Sequence, residues 1–266
     1  MGETLDYQRD TERKKYFVAE CKEHDAKLEL RTFKWLVEKY SKPGDTILDP
    51  MSGIGTVHFA ATMGRHTIAV EIAPRFVEIQ HMNIRRLEET LGLTGRTMVL
   101  EMDCRRALPL PVGTVDLVIF SPPYSSVEKH GQTHGFREES GELMNVGTLG
   151  YSDQQANIGN LTVYPLYLEA MRHVYIACNR SLVLSQRLIS VTKDMVKGGE
   201  RVYIGKDNIR ICMEAGFQLE DWHLRRTPRG IRQIVPQRRR QEKGTDRPEL
   251  NISTEDLLVF RKAREV

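Results

Sequence analysis

Apolar residues recur along this chain with two alternating periods. Four short runs, residues 46–49, 67–71, 97–103 and 115–120, are rich in Val, Ile and Leu and read as buried strands. Between and beyond them the apolar positions fall three and four apart. Leu30, Phe33, Val37 and Tyr40 share one helical face that ends near Pro43 and Gly44. Val77, Ile84, Leu87 and Leu91 share a second, closed by Gly92, and Met171, Val174, Tyr175, Cys178 and Leu182 form a third. A helix over 55–63 follows a glycine turn, a strand is expected over 188–192, and a helix around 209–213 stops at Gly216. Residues 218–224 and 255–260 read as a terminal strand pair. Strands alternating with helices imply an α/β fold with a mostly parallel sheet, helices on both faces and an antiparallel edge from the last pair. No internal repeat is present, and one domain over residues 1–266 is the simplest organisation.

Composition narrows the class only slightly. The net charge is +3, and the four cysteines (Cys21, Cys104, Cys178 and Cys212) are scattered without metal-ligand spacing, so neither zinc nor a disulfide framework is expected. No apolar run approaches a membrane span and the opening segment is polar, without the pattern of a signal peptide. A cytoplasmic location with reduced thiols is the expectation.

Chemistry concentrates where the strands end. The run 115–120 stops abruptly at Ser121-Pro122-Pro123-Tyr124. Two prolines in succession keep the backbone rigid and extended, which fixes a hydroxyl, a proline carbonyl and an aromatic ring at one strand end. This equipment suits a flat, amino-bearing ring. Upstream, Asp49-Pro50-Met51-Ser52-Gly53-Ile54-Gly55-Thr56 joins a strand to a helix through a glycine turn, where a ligand can approach the backbone. The dinucleotide pattern G-x-G-x-x-G fails at His58, and the phosphate loop G-x-x-x-x-G-K-[ST] is absent. Asp49 would repel a pyrophosphate and attract an ammonium, so the ligand implied carries a cationic amino-acid moiety, as S-adenosylmethionine does. Glu71 closes the next strand, about 20 residues beyond the turn, where a ribose-binding carboxylate is usual. Asp103 closes the third, placed to accept from an adenine amino group. In a parallel sheet all these ends face one crevice.

These motifs resemble those of the amino-methylating DNA methyltransferases. Asp49 to Thr56 is similar to that family's cofactor motif, and Ser121-Pro122-Pro123-Tyr124 to its catalytic tetrad, whose Ser-Pro-Pro-Tyr form is commonest in cytosine-N4 enzymes and whose Asp form is commonest in adenine-N6 enzymes. His24-Asp25-Ala26-Lys27 resembles a further cofactor motif, with Asp25 in place of the family's proline. The resemblance implies a Rossmann-like S-adenosylmethionine-dependent methyltransferase fold. It implies methyl transfer to the N4 amine of a cytosine flipped out of DNA, or to adenine N6, or to RNA. Asp49, Pro50, Met51, Ser52, Gly53, Gly55, Thr56, Glu71 and Asp103 would bind the cofactor. Ser121, Pro122, Pro123 and Tyr124 would carry the chemistry, with Ser121 Oγ and the Pro122 carbonyl accepting the amine's hydrogens and Tyr124 stacking on the base. A cognate restriction endonuclease is a conceivable partner.

Two segments fall outside the core pattern. Residues 125–161 are long, polar and aperiodic and follow the tetrad, so they are expected over the substrate crevice. His130 and His134 have helical metal spacing, but Gly131 and Gly135 spoil the helix. Residues 225–250 carry nine cations, including Arg225, Arg226, Arg229, Arg232, Arg238, Arg239 and Arg240, and read as a basic, DNA-contacting insertion. A carbon-5 cytosine methyltransferase is excluded by the lack of any Pro-Cys dipeptide. A non-catalytic nucleic-acid binder would need neither the tetrad nor the three acids.

Overall fold

The computed structural model describes residues 2–24, 27–111, 113–123, 156–196, 200–227 and 250–266, and the backbone alone of 134–137, 143–146 and 197. In chain order the strands are β1 (Thr4–Leu5), β2 (Thr46–Asp49), β3 (His66–Glu71), β4 (Thr97–Glu101), β5 (Val115–Phe120), β6 (His134–Arg137), β7 (Leu143–Val146), β8 (Leu182–Thr192), β9 (Met195–Lys197), β10 (Glu200–Val202), β11 (Phe217–Arg226) and β12 (Thr254–Lys262). The helices are α1 (Arg13–Tyr16), α2 (Leu30–Tyr40), α3 (Pro74–Leu91), α4 (Cys104–Ala107), α5 (Tyr164–Ser181) and α6 (Ile204–Glu214).

Eight strands form one sheet in the order β1-β11-β12-β8-β5-β2-β3-β4. The five from β8 to β4 are mutually parallel. β12 runs antiparallel between β8 and β11, and β1 lies parallel on the outside of β11. The expected α/β sheet with an antiparallel pair is therefore present, and the two-residue β1 extends its edge. Successive strand residues serve opposite layers, as the pleat requires. Leu117, Ile119, Ile189 and Val191 pack with Phe33 and Val37 of α2 and Ile79 of α3, whereas Val118, Phe120 and Leu188 pack with Met171 and Val174 of α5 and Ile211 of α6. With helices on both faces, the central strands are apolar at nearly every position, which is why they read as continuous runs.

Several boundaries differ from expectation for physical reasons. Residues 56–63 form a 3₁₀ segment rather than an α-helix, held between left-handed Gly55 and Gly64. β4 ends at Glu101, and Asp103 lies beyond it as the N-cap of α4, accepting from Arg105 N. β8 starts six residues before the expected strand, directly after α5, so Leu182 belongs to the strand and not to the helical stripe. Within 125–161, expected to lack structure, β6 and β7 pair as an antiparallel hairpin. No helix among the described residues is long and apolar enough to cross a membrane.

The topology decides where a ligand goes. From β2 the chain moves outward through β3 and β4, then returns to place β5 on the other side of β2. Such a reversal opens a crevice at the carboxyl ends of the strands. Asp49, Glu71, Ser121 and Lys193 all stand at or just past that rim. β12 runs the other way, so its start and the end of β11 meet the same rim, where Thr227 N donates to Ser253 O at 2.8 Å.

Candidate active site

The floor of the crevice is the turn after β2. Gly53 and Gly55 take φ of 51° and 77°, a left-handed backbone that side chains rarely adopt. Space is also closed to a side chain: a Cβ on Gly53 would lie 2.9 Å from His24 Nε2, and one on Gly55 would lie 2.7 Å from His58 Cδ2. Ser52 N and Ser52 Oγ both donate to Val70 O, at 3.0 and 3.1 Å, tying the turn to β3.

A buried polar chain supports this turn from behind. Gln80 of α3 donates through Nε2 to Ser52 Oγ (2.8 Å) and Gly53 O (2.7 Å). Its Oε1 faces His58 Nε2 at 3.1 Å, and His58 Nδ1 faces Thr67 Oγ1 at 3.0 Å. Because Gln80 uses both amide hydrogens, its oxygen must accept, so His58 carries its proton on Nε2 and Thr67 donates to Nδ1. Burial drives the His58 pKa down to about 4, which keeps the ring neutral in this chain. Asn83, one turn further along α3, donates to Ile54 O (2.8 Å) and accepts from Val18 N (3.0 Å). Buried Arg13 reaches Thr56 Oγ1 at 3.1 Å and Leu28 O at 2.6 Å. None of these supports was read from the sequence. Replacing Gln80 with alanine takes the partner from the Gly53 carbonyl and the His58 N–H and one donor from Ser52 Oγ, which keeps its bond to Val70 O, and should lower stability by about 2–4 kcal/mol in a denaturant titration. A loss below about 1 kcal/mol would show that the turn holds itself.

Three acids face the cleft in different states. Asp49 is half-buried, accepts from Met51 N at 3.0 Å, and is pushed up to about 8 by burial, with the Glu71 charge adding to the rise. Glu71 is buried, and its two oxygens accept from Gly53 N (2.7 Å) and Ala73 N (2.9 Å). Burial outweighs those bonds and lifts it to about 7. Burial opposes the ionisation of Asp103 as well, but hydrogen bonds and charge from Arg105 prevail and hold it below its usual value. Arg105 also donates to Ala156 O at 2.7 Å, so Asp103 is anchored at the rim by a clasp between α4 and the segment entering α5.

These groups line one cleft of about 980 Å³, including the volume open to solvent. His24, Lys27, Pro50, Met51, Ser52, Gly53, Thr56, Asp49, Glu71 and Asp103 lie on its wall with Ser121, Pro122 and Pro123. The structure thus brings the proposed cofactor residues and the start of the tetrad together. Gly55 stands behind the wall, against His58 and Gln80. Asn157 and Ile158, from the end of the 125–161 segment, complete the lining, and Asn157 Oδ1 closes a 3₁₀ turn by accepting from Gly159 N at 2.9 Å.

Ser121 donates its hydroxyl hydrogen to Val191 O of β8 at 3.0 Å. A hydroxyl has one hydrogen, so what Ser121 can still offer the cleft is acceptor lone pairs. Tyr124, Arg229, Arg232, Arg238, Arg239, Arg240 and the pair Asp25-Ala26 lie outside the described residues. Two members of the basic insertion are corrected. Arg225 is buried in β11, at 2.5 Å from Glu255 and 3.8 Å from Glu29, and Arg226 pairs with Asp6 at 2.8 Å. Both belong to β11 rather than to an insertion; Arg225 has its charge engaged by Glu255 and Glu29, while Arg226 and Asp6 form an exposed pair, and seven of the nine cations remain beyond them.

Comparison with known proteins gives a partial family match and likenesses of fold. Residues 4–82 match the N6/N4 DNA methylase family. The DNA methylase match takes in β2, the glycine turn, Glu71 and Gln80, and stops short of Ser121. The fold matches a SAM-dependent methyltransferase from Methanosarcina mazei at a TM-score of 0.52 and 11% identity, covering 86% of this chain and 98% of that one. The YcgJ protein of Bacillus subtilis gives 0.52 and 11%, covering 89% and 99%. TrmN from Thermus thermophilus gives 0.45 and 16% over 88% of this chain, which spans about half (49%) of the TrmN chain. At such identities the likeness is one of fold. No curated protein matches the chain.

Proposed function

We propose that this protein transfers a methyl group from S-adenosylmethionine to the exocyclic N4 amine of a cytosine extruded from DNA. The observation that carries this reading is the polarity of Ser121: its hydrogen is committed to Val191 O, so it meets an incoming amine as an acceptor. The DNA methylase match over residues 4–82 supports DNA as the substrate. The cofactor fits the cleft chemically. Asp49 has a carboxyl that burial keeps reluctant to ionise, and a cationic amino-acid group is what would restore its charge. Glu71 retains acceptor capacity for ribose hydroxyls beyond its two backbone bonds, and Asp103 stands at the far rim for an adenine amine. S-adenosylmethionine, when bound, supplies an electrophilic methyl on a sulfonium.

The chain's own residues perform the remainder. An exocyclic amine delocalises its lone pair into the ring and is a weak nucleophile. Ser121 Oγ and the Pro122 carbonyl accept its two hydrogens, which lets the nitrogen pyramidalise and turn its lone pair outward. The same acceptors stabilise the positive charge that grows on the amine, and once the nitrogen–methyl bond has formed one of the two held protons is released to solvent, which leaves the neutral methylamine. Tyr124 stacks on the extruded ring, worth about 1–3 kcal/mol by analogy with single-strand binders. No enzyme nucleophile is needed: Cys104 lines the cleft, but burial raises its thiol and keeps it protonated, and the buried thiols of Cys178 and Cys212 do not line it.

The test is transfer of labelled methyl from S-adenosylmethionine to duplex DNA and to RNA, followed by identification of the modified nucleoside. N4-methylcytosine in DNA is the expected product. N6-methyladenine would reassign the base, and label confined to RNA would overturn the substrate.

A further inference from the structure

Lys193 sits where a DNA-binding role is most informative. It follows β8 directly, two residues past Val191, whose carbonyl holds Ser121. In sheet order β8 stands between β5, which leads to Ser121, and the β12–β11 pair, which carries the root of the basic segment. Lys193 Nζ donates to Thr227 Oγ1 at 3.1 Å, and Thr227 is the last described residue before the remaining cations of 228–249.

The ammonium is half-buried, yet among the described residues no carboxylate pairs with it. The neighbouring acids are already engaged. Glu255 accepts from Arg225 Nη2 at 2.5 Å and Nε at 3.0 Å. Asp194 accepts from Arg201 Nε at 2.8 Å and Gly205 N at 3.2 Å. Burial, the Arg225 charge and only partial relief from Glu255 hold the Lys193 pKa below its ordinary value. An ammonium has three hydrogens, and among the described residues one of them is met, by a neutral hydroxyl. Folding alone gives little reason to keep a cation in such a place, since a half-desolvated charge that Glu255 relieves only at a distance costs stability.

We propose that Lys193 binds a backbone phosphate of the substrate strand beside the extruded nucleotide, at the rim between Ser121 and Thr227. This rests on the DNA reading above. A phosphodiester provides the missing anion and its acceptor oxygens, and its position at the rim would fix the register of the strand against the cleft.

The experiment measures duplex affinity of the full chain between 50 and 200 mM salt, with cofactor affinity and melting temperature measured in parallel. Lys193→Met keeps the aliphatic stem and removes the charge. It should bind DNA about tenfold more weakly at 0.1 M salt, with a log–log salt slope shallower by about one. Lys193→Arg should keep the wild-type slope, as should Thr227→Val, which deletes only the hydroxyl. Cofactor affinity should be unchanged in all three. If Lys193→Met does not fold, Lys193→Gln carries the same expectation. A wild-type slope in the charge-deleted variant, or a parallel loss of cofactor affinity, overturns the phosphate assignment. A wild-type protein with no salt-dependent DNA binding overturns the DNA reading itself, and the two failures are told apart by that control.

Discussion

Ser121→Ala lowers methyl transfer at saturating cofactor by at least about 100-fold, the scale on which removing one positioned hydrogen-bonding group acts in enzymes. Cofactor affinity should stay within about twofold, because Ser121 touches β8 and the substrate side rather than the glycine turn, and one lost contact on the far wall is small. The variant also leaves Val191 O without its donor, a penalty of about 1–3 kcal/mol that a melting curve will register. Ser121→Thr retains the hydroxyl and should recover part of the rate if its hydrogen returns to Val191 O. Single-turnover kinetics separates these effects. An alanine variant that transfers methyl at wild-type rate would end the acceptor role, and one that loses cofactor in proportion would make Ser121 structural.

Asp49→Asn should weaken S-adenosylmethionine binding by about 100-fold, since it keeps the shape of the group and removes the charge that faces the ammonium. The pH dependence has a definite sign. In the cofactor-free protein the Asp49 carboxyl is raised from 3.8 to about 8. Its contribution to stability is therefore fully present below 3.8 and is lost as pH rises through about 8. A ligand that requires the ionised carboxylate should bind more tightly as pH climbs from about 6 to 8. Above that range its own amino group loses its proton, at about 7.7–8.0 for a free α-amine, and affinity should level or fall. Glu71, raised to about 7, ionises through the same interval and steepens the rise. Calorimetry in two buffers of different ionisation enthalpy should detect proton release at pH 7 for the wild type and less for Asp49→Asn. A flat affinity profile with no proton release would remove the ammonium–carboxylate pairing.

What the sequence made legible follows from how strongly each residue's surroundings mark it. β2, β3 and β5 are buried on both faces, so they stand out as apolar runs, and Asp49, Glu71 and Ser121 at their ends could be placed at one rim from topology alone. α3 was harder to read. Of the four residues that marked its face, Leu91 is 44% exposed, while the side turned inward carries Gln80 and Asn83, both fully buried. The reason is that α3 packs on the outside of the glycine turn, where Gly53 O and Ile54 O need donors. A polar pair three residues apart, in line with Val77 and Leu87, was the available signal. The start of β8 was missed because Ser185, at φ 67°, and a register shift against β5 interrupt its alternation. Arg225 read as one more cation in a basic run, because a sequence does not show that Glu255 lies across the ladder from it.

The closure at Thr227 and Ser253 separates two jobs. The ends that flank residues 228–249 meet at a 2.8 Å backbone hydrogen bond, on antiparallel strands that lie beyond the five parallel ones. A different insert with the same two anchor points would ask nothing new of Asp49, Gln80 or Ser121. On the function proposed above, recognition by that segment and chemistry in the cleft can then be altered separately, by exchanging the insert between its two anchors.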